Sequence, residues 1–223
     1  MNKDYKVLPI KKEETHSWLL HKHYAKRIPT ITHAFGLYKK GELNGVVTFG
    51  LAISKEFCDN VLGLEYRDKI LELNRLCINE VSDSSKNLLS FFVGKALSLI
   101  PKPKLIVSYA DTSQGHTGYI YQATNWIYTG LSTKNVDWKE ISTNKHSRTL
   151  SGSYTSQYMA KHPERFKQVQ RSRKHRYIYF CGTKLQKKKM RKCLTYPIHE
   201  YPKGENKRYD ASYKPSTQGI LDF

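Results

Sequence analysis

Long apolar runs, paired cysteines and acidic residues are all scarce in this sequence. None of its 223 residues fall in an uninterrupted apolar run of about 18, the length that a membrane-spanning helix needs. The first residues also lack the apolar stretch of a signal peptide. The four cysteines include no Cys-x-x-Cys pair, so neither a zinc site nor a dithiol redox motif is indicated. We therefore expect an intracellular, cytoplasmic protein with free thiols and no membrane partner.

The scarcity of acid leaves a large positive charge. Lys and Arg number 38 against 19 Asp and Glu, a net of +19. Residues 1–130 contribute +5 of this and residues 131–223 contribute +14, with 13 basic residues and one acidic residue in 161–192. Such concentrated charge, with aromatic residues interleaved, predicts a nucleic-acid partner. A solvated basic tail is the alternative, and it suits residues 184–192 best.

Alternating apolar patterns predict an α/β protein with a mixed sheet and helices on its faces. Strands are predicted at 5–10, 70–78, 104–109, 126–130 and 173–182, with a hairpin over 33–50. Helices are predicted at 11–27, 88–100 and 116–124. We expect a catalytic domain over 1–182, which contains an irregular basic insertion at 131–172, and a loosely held basic tail over 183–223.

Two polar residues interrupt the predicted strands. Asp111 lies at the end of the segment VSYAD, just past the strand predicted over 104–109. This is a place where active sites occur, because those of open α/β sheets lie outside the carboxyl ends of strands. Asp111 is our first candidate for a proton acceptor, and the alternative is a cap on the following helix. Arg75 lies inside an apolar strand, where a buried charge requires a partner such as phosphate, a substrate carbonyl or Asp111. The alternative for Arg75 is a position facing solvent.

One segment resembles the GNAT acyltransferases. Residues 121–130, YQATNWIYTG, resemble the Y-E-x-x-G-F-x-x-x-G segment that ends the last core helix of that fold. Asn125 replaces the family's glycine, and asparagine tolerates the left-handed backbone of a helix end best after glycine. The resemblance places Tyr121 where many of these enzymes hold the tyrosine that protonates the departing thiolate.

Longer motifs resemble the Mom family of phage and prophage proteins across about residues 18–182. They are HYAKRIP, AFGLYKKGEL, ELNRLCI, VSYADTSQGHTGYIYQATNWIYTG and RKHRYIYF. The resemblance implies a GNAT-like enzyme that places a carbamoylmethyl (methylcarbamoyl) group on N6 of adenine in double-stranded DNA, which shields phage DNA from host restriction. It also implies that His23 and Tyr24 are catalytic, and that iron could be bound by His23, Tyr24 and Asp111.

The resemblance implies an acyl donor, for which we consider acetyl-CoA and an aminoacyl-tRNA. The glycine-rich loop with which GNAT enzymes hold the pyrophosphate is replaced here by a loop without glycine at 81–87. Its Ser84, Ser85, Lys86 and Asn87 precede a helix N-terminus and could hold an anion. Simple acetyl transfer does not yield a carbamoylmethyl group, so the reaction requires a further rearrangement, oxidation or nitrogen source, in which iron could serve.

The full set of catalytic candidates is Asp111, His23, Tyr24, Tyr121, Arg75 and Ser108. Candidates for nucleic-acid binding are Tyr38, Arg171, Arg173, Lys174, Arg176, Lys187, Lys188 and Lys189. Because N6 is paired in a duplex, the base must flip or the helix must open, and Tyr24, Tyr38 or Trp126 could stack on it. Two other functions remain open: a basic nucleic-acid-binding protein without catalysis on a GNAT-like scaffold, or an N-acetyltransferase of a protein or small amine.

Overall fold

A computed structural model describes residues 4–52, 54–79, 87–143 and 147–204. A mixed seven-stranded sheet dominates the fold and confirms the predicted α/β class, with strand order β1-β2-β3-β4-β5-β9-β6. Its strands are β1 (Tyr5–Pro9), β2 (His33–Lys39), β3 (Glu42–Leu51), β4 (Ile70–Ile78), β5 (Lys104–Asp111), β6 (Ile127–Leu131) and β9 (Lys174–Cys181). A separate two-stranded sheet pairs β7 (Val136–Glu140) with β8 (Phe166–Gln170).

The helices are α1 (Lys55–Asn60), α2 (Leu88–Leu99), α3 (Tyr119–Ala123), α4 (Ser147–Ser153), α5 (Ser156–Lys161) and α6 (Lys184–Lys192). Helices lie on both faces of the large sheet, whereas α4 and α5 pack on the two-stranded sheet. One face packs α2 into a core that includes Phe92 and Ala96, and the opposite face packs α1 and α6 through Phe57 and Met190. No helix among the described residues is both long and apolar enough to cross a membrane.

The hairpin predicted over 33–50 is confirmed as β2 and β3. Lys40 and Gly41 form its turn with φ of 50° and 86°. Two successive left-handed residues give the turn that matches the twist of paired strands. A Lys-Gly pair between two β-rich runs is therefore a hairpin signal. The strand predicted at 70–78 is also confirmed with both of its ends.

The first predicted helix is shorter than the apolar pattern suggests. The helical segment begins as a 3-10 turn at Lys12–Thr15 and widens into a π-helix at Trp18–Lys22. The His23 amide donates to the Trp18 carbonyl at 3.0 Å, and His23 itself is extended. The prediction that this helix reaches residue 27 was wrong, because the π turn releases His23 and Tyr24 from the helix. Such π turns are frequent at functional sites.

The segment predicted to be irregular, 131–172, is largely regular. It forms β7, β8, α4 and α5 around a small core of Leu150, Met159 and Phe166. The apolar pattern missed it because both helices are short and each strand buries only one side. The residues after 183 also differ from the prediction, because Thr183 and Gln186 cap α6 reciprocally and Met190 is buried.

Residues 193–204 continue from α6 around the exposed edge of β6. The His199 amide donates to the Tyr128 carbonyl at 3.0 Å. The Tyr201 hydroxyl donates to the Trp126 carbonyl at 2.6 Å. The residues up to 204 are therefore held against the large sheet, so this part of the predicted tail is not loose.

Gly118 is a position where the fold requires glycine. Its φ is 82°, and an added Cβ would lie 2.3 Å from the Tyr177 ring. We expect Gly118→Ala to lower the free energy of unfolding by about 2–5 kcal/mol, since strain in the left-handed region adds to overpacking. Denaturant unfolding would measure the loss. Gly94→Ala is the matched control, because Gly94 lies in α2 with open space around it, and alanine there should be neutral or stabilising. Equal stabilities for the two variants would contradict the argument.

Candidate active site

The candidate site lies where β4 and β5 separate. The two parallel strands pair only between Ile70–Glu72 and Leu105–Val107. Beyond these residues β4 continues along β3, and β5 continues along β9 to Asp111. At Leu73 the β4–β5 ladder has ended, and the Leu73 carbonyl accepts a hydrogen bond from the Ser108 hydroxyl at 2.8 Å. Polar side chains lie between the separated strand ends, and we call this place the cleft.

Tyr121 forms the inner wall of this cleft. Its hydroxyl lies 2.7 Å from the Ser108 hydroxyl. Because Ser108 donates its single proton to the Leu73 carbonyl, Tyr121 is the donor in this pair. Burial raises the pKa of Tyr121 far above its ordinary value, although the bond to Ser108 acts in the opposite direction. Tyr121 therefore stays protonated and can serve as an acid. Tyr119, two residues earlier on the same helix, is exposed to solvent.

Tyr24 is the centre of the cluster. Its ring stacks on His23 with centroids 4.4 Å apart and meets His116 edge to face at 5.7 Å. Burial raises the pKa of Tyr24, the charge of Asp111 raises it further, and the charge of Arg75 lowers it. Tyr24 in turn raises the pKa of Tyr121. The π turn thus delivers Tyr24 among groups contributed by β4, β5 and the segment before α3.

His23 is a neutral imidazole in this structure. Burial lowers its pKa to about 3, and the neighbouring Arg75 and His116 contribute to the shift. Its Nδ1 accepts a hydrogen bond from the Ala25 amide at 3.0 Å, so the proton of the neutral ring is on Nε2. His23 therefore supports Tyr24 by stacking and cannot be a base at Nδ1.

Asp111 is held as a charged carboxylate. Its Oδ1 accepts from the Ser113 amide at 3.0 Å and from the hydroxyls of Ser113 and Ser172 at 2.8 Å each. Its Oδ2 lies 3.1 Å from the Lys174 ammonium. Burial would raise the pKa of Asp111, but the bonds from Ser172 and Ser113 and the charge of Lys174 outweigh it and lower the pKa. The capping role that sequence left open is confirmed, and the carboxylate is a weak base.

His116 is a site residue that sequence reasoning missed. It follows the 3-10 turn at Thr112–Gln114, and its amide donates to the Asp111 carbonyl at 3.2 Å. Burial lowers the pKa of His116, and the negative charge of Asp111 offsets part of that effect. The ring is thus neutral near pH 7 and half-buried beside Tyr24. Its place inside the long motif VSYADTSQGHTGYIY was the signal that could have identified it.

Arg75 places a buried donor at the cleft. Its Nη1 donates to the Asn74 carbonyl at 2.6 Å, and its Nε is buried with no hydrogen-bond partner among the described residues. Burial lowers the pKa of Arg75, which still leaves the guanidinium charged. Asp111 pairs with Lys174 rather than Arg75. The unpartnered Nε fits an oxygen acceptor, and the residues present therefore fit an acyl donor whose oxygen binds here.

The three residues considered as iron ligands do not fit a metal. Both nitrogens of His23 are committed, because Nδ1 accepts from Ala25 and Nε2 carries the proton. A cation at Asp111 would have to displace Lys174. Within the described ranges, no three His, Cys, Asp or Glu side chains are grouped as a metal site. The arrangement of His23 and Asp111 therefore does not fit the iron site that the resemblance implies.

Four predicted DNA contacts in 171–176 are engaged within the protein. Arg171 forms an ion pair with Asp137, and Arg173 Nε donates to the Ser132 carbonyl at 2.7 Å. Lys174 contacts Asp111, and the Arg176 guanidinium stacks on the Tyr196 ring at 3.6 Å. These cations therefore stabilise the beginning of β9 and the residues just before it.

The remaining predicted residues lie apart from the cluster. Trp126 is fully buried and cannot stack on a flipped base, so that expectation was wrong. Tyr38 lies on β2, two strands from β4. Asn87 precedes α2 in a left-handed conformation. Ser84, Ser85 and Lys86, predicted to bind the donor, lie outside the described residues.

Helix α6 carries the other predicted DNA contacts. Lys187, Lys188 and Lys189 are exposed, and Lys187 lies 5.5 Å from the centre of the Tyr179 ring. A cavity of about 380 Å³ lies between α6 and the end of the sheet, lined in part by Lys187, Lys188 and Arg191. Because α6 follows the end of β9 that pairs with Lys104, it begins at the opposite end of the sheet from Asp111.

Comparison with known proteins gives one family and several distant folds. Residues 4–203 match the Mom protein family. Over 193 residues the chain is 26% identical to methylcarbamoylase mom of Escherichia phage Mu, covering 82% of this chain and 77% of that protein. Among solved structures, the YncA putative acetyltransferase of Salmonella typhimurium with acetyl-CoA has a TM-score of 0.45 at 8% identity, covering 80% and 95%. Arabidopsis thaliana NAA60 with a bisubstrate analogue has a TM-score of 0.46 at 13% identity, covering 79% and 97%.

Proposed function

This chain belongs to the Mom protein family, and from that premise we propose that it modifies N6 of adenine in duplex DNA with an acyl-derived group, completed as a carbamoylmethyl group. The observation that carries the proposal is the convergence of Tyr24, His116, Asp111, Arg75 and Tyr121 at the separation of β4 and β5. Together they supply a base, an acid and a donor to an oxygen. A protein that only binds DNA has no use for this set.

The proton acceptor in this proposal is His116. The amine at N6 is a poor nucleophile, so a base must remove its proton as the new bond forms. His116 is neutral near pH 7, and Asp111 raises its basicity through its negative charge. Asp111, with its lowered pKa and four donors, is then a positioning residue rather than the acceptor first expected.

The donor side of the cleft acts on the leaving group. Arg75 Nε binds the carbonyl oxygen, where negative charge develops when N6 attacks the carbonyl carbon. The bond from that carbon to the donor's sulfur or oxygen breaks, and Tyr121 gives its proton to the departing atom. The product of this step is an N6-acyl adenine. If the donor is acetyl-CoA, conversion to the carbamoylmethyl group requires ammonia or another nitrogen donor, a two-electron oxidant and a rearrangement that leaves CH₂ on N6. A glycyl ester already contains the nitrogen, so its product would need only the rearrangement.

Mass spectrometry of nucleosides from the DNA of bacterial cells that express the chain tests the proposal. We expect an altered deoxyadenosine with the wild type and none with a Tyr121→Phe variant. Ordinary nucleosides throughout, with DNA binding retained, would instead indicate a binding protein without catalysis. Ordinary nucleosides with newly acetylated protein or amine would indicate an N-acetyltransferase.

The same analysis on purified components identifies the donor. One reaction contains acetyl-CoA, a nitrogen source and a two-electron oxidant, and the other contains tRNA charged with glycine, each with duplex DNA. The mass of the added group separates an acetyl from a carbamoylmethyl product. Formation of the mature group from acetyl-CoA and DNA alone would contradict the need for a second nitrogen donor.

A further inference from the structure

Two lysines face each other on the two-stranded sheet of β7 and β8, which we call the β7–β8 hairpin. Lys139 on β7 and Lys167 on β8 are direct partners in the strand ladder, and both are exposed. Like charges at directly opposite positions of a sheet destabilise it. Within the described part of the chain, neither ammonium has an acidic group within 4 Å. The arrangement therefore costs stability in the free protein, and an anionic partner would remove that cost.

Among the residues that the structure describes, those of the cluster beneath α4 and α5 cover one face of this hairpin. Phe166 and Trp138 pack with Leu150 and Met159 beneath α4 and α5. Because side chains alternate along a strand, Lys139 and Lys167 lie on the opposite face. That face carries the lysine pair in the open, with Asp137 turned to its partner Arg171 at the base of the hairpin.

The hairpin is attached directly beside the candidate active site. The Ser132 amide donates to the Lys174 carbonyl, and the Arg171 amide donates to the Asn135 carbonyl, both at 2.8 Å. Residues 132–135 and 171–174 form the stem of the hairpin. The stem extends the pairing of β6 with β9 beyond the sheet, at the end where Ser172 and Lys174 contact Asp111. A ligand held by the hairpin would have a fixed position relative to the cleft, whereas α6 begins at the other end of β9.

We propose that the open face of the β7–β8 hairpin lies in the major groove of duplex DNA beside the target base. A two-stranded ribbon fits this groove, which is about 12 Å wide, and adenine presents N6 there. Hairpin and cleft would therefore approach the DNA from the same groove. The inference rests on the proposed function for its substrate, but it concerns binding and not chemistry.

The length of the stem limits where the contact falls. Lys167 is seven residues from Lys174, so their Cα atoms are at most about 25 Å apart. At 3.4 Å per base pair, the lysine contacts fall within about seven base pairs of the position that Lys174 occupies along the duplex, on one side of it. Hydroxyl-radical footprinting on a duplex with one target site should show protection extended to that side, and Lys139→Gln/Lys167→Gln should lose the extension.

Salt dependence of DNA affinity provides the quantitative test. Loss of two phosphate contacts should reduce the slope of log affinity on log salt by about 1.8 and weaken binding roughly 10–30-fold at 0.15 M salt. Lys6→Gln/Lys95→Gln is the control, since both lysines are exposed on β1 and α2 at the far side of the sheet. An unchanged slope in the hairpin variant, or equal losses in both variants, would overturn the proposal. Loss of slope only on neutralising Lys187, Lys188, Lys189 and Arg191 would move the footprint to α6 and overturn it as well.

A charge reversal separates the proposal from a folding defect. Lys139→Glu places opposite charges across the ladder from Lys167, which should raise Tm while it weakens DNA binding further than the neutral variant does. Reduced affinity in a protein of equal or higher Tm supports a direct contact. Wild-type affinity in a folded Lys139→Glu variant contradicts it.

Groove-specific competitors distinguish this inference from the proposed function. DNA whose cytosines carry bulky 5-position glucosyl groups has an obstructed major groove, and the wild type should bind it about tenfold more weakly, whereas a minor-groove ligand should have little effect. Equal binding to both DNAs would overturn the groove assignment even if nucleoside analysis shows modified adenine. Conversely, ordinary nucleosides would defeat the proposed function while a reduced salt slope still supported the hairpin contact.

Discussion

A His116→Gln variant is expected to lose roughly 10²–10⁴-fold in kcat while it binds DNA as tightly as the wild type. Glutamine keeps a polar side chain at the half-buried position but cannot accept the N6 proton. His33→Gln is the matched control, since burial also lowers the pKa of His33 but it lies at the opposite end of the sheet, near Lys104. Comparable losses in both variants would show a general effect on the fold and would remove His116 from the mechanism.

The pH profile tests the assignment independently. The neutral ring of His116 is the active form, so kcat/KM of the wild type should fall as pH drops through a pKa below the ordinary value of 6.5. Asp111 raises that pKa by its charge, so Asp111→Asn should lower kcat and move the acid limb to still lower pH. A purely structural role for Asp111 would lower activity without moving the limb.

Two outcomes would change the roles of these residues. If Asp111 is itself the acceptor, Asp111→Asn abolishes modification and His116→Gln keeps both activity and the acid limb. If soluble Asp111→Asn protein keeps full activity, Asp111 has no part in the reaction and serves only as the cap of the Thr112–Gln114 turn. Melting curves of both variants exclude unfolding as the cause of any loss.

Tyr121→Phe is expected to lower kcat by roughly 10²–10⁴-fold with DNA affinity unchanged. The ring remains packed against Trp126 and Tyr177, whose centroids lie 5.0 and 5.2 Å away, so the core is preserved. Ser108 still donates to the Leu73 carbonyl. Only the acidic proton is lost, which makes the variant a clean test. Full activity in the folded variant would exclude Tyr121 as the acid.

The size of that loss depends on the leaving group. Burial raises the pKa of Tyr121, and an acid of high pKa transfers its proton more readily to an alkoxide than to a thiolate of pKa near 8.5. The loss should therefore be near the upper end of the range with an aminoacyl ester and near the lower end with a CoA thioester. Ser108→Ala is the companion control, because it removes the partner of Tyr121 but leaves the acid in place.

The central sheet could be predicted from sequence because its strands carry the signal within themselves. β4 alternates apolar and polar residues from Leu71 to Asn74 within an apolar segment, and Lys40 and Gly41 form the turn of the predicted hairpin. The left-handed conformation predicted for Asn125 from its replacement of glycine is confirmed, with φ of 59°. All four cysteines are free, as expected, and Cys77 is buried in the core.

The features that sequence did not predict depend on contacts between distant residues. The first helix widens into a π turn where Trp18 and Leu19 are buried, and an apolar pattern does not distinguish a π turn from an α turn. The β7–β8 hairpin joins strands 25 residues apart around a core of three side chains. His116 resembles any polar loop residue until β5 and the π turn bring Asp111 and Tyr24 to it.

The position of β9 between β5 and β6 also determines when this protein can fold during synthesis. Strand β6 leaves the ribosome first but has no neighbour in the sheet until β9, more than 40 residues later, is inserted beside it. At roughly 5–20 residues per second, β5 and β6 wait several seconds with unpaired edges. A chaperone that protects strand edges would act in that interval, and a ribosome pause between residues 131 and 174 would prolong it.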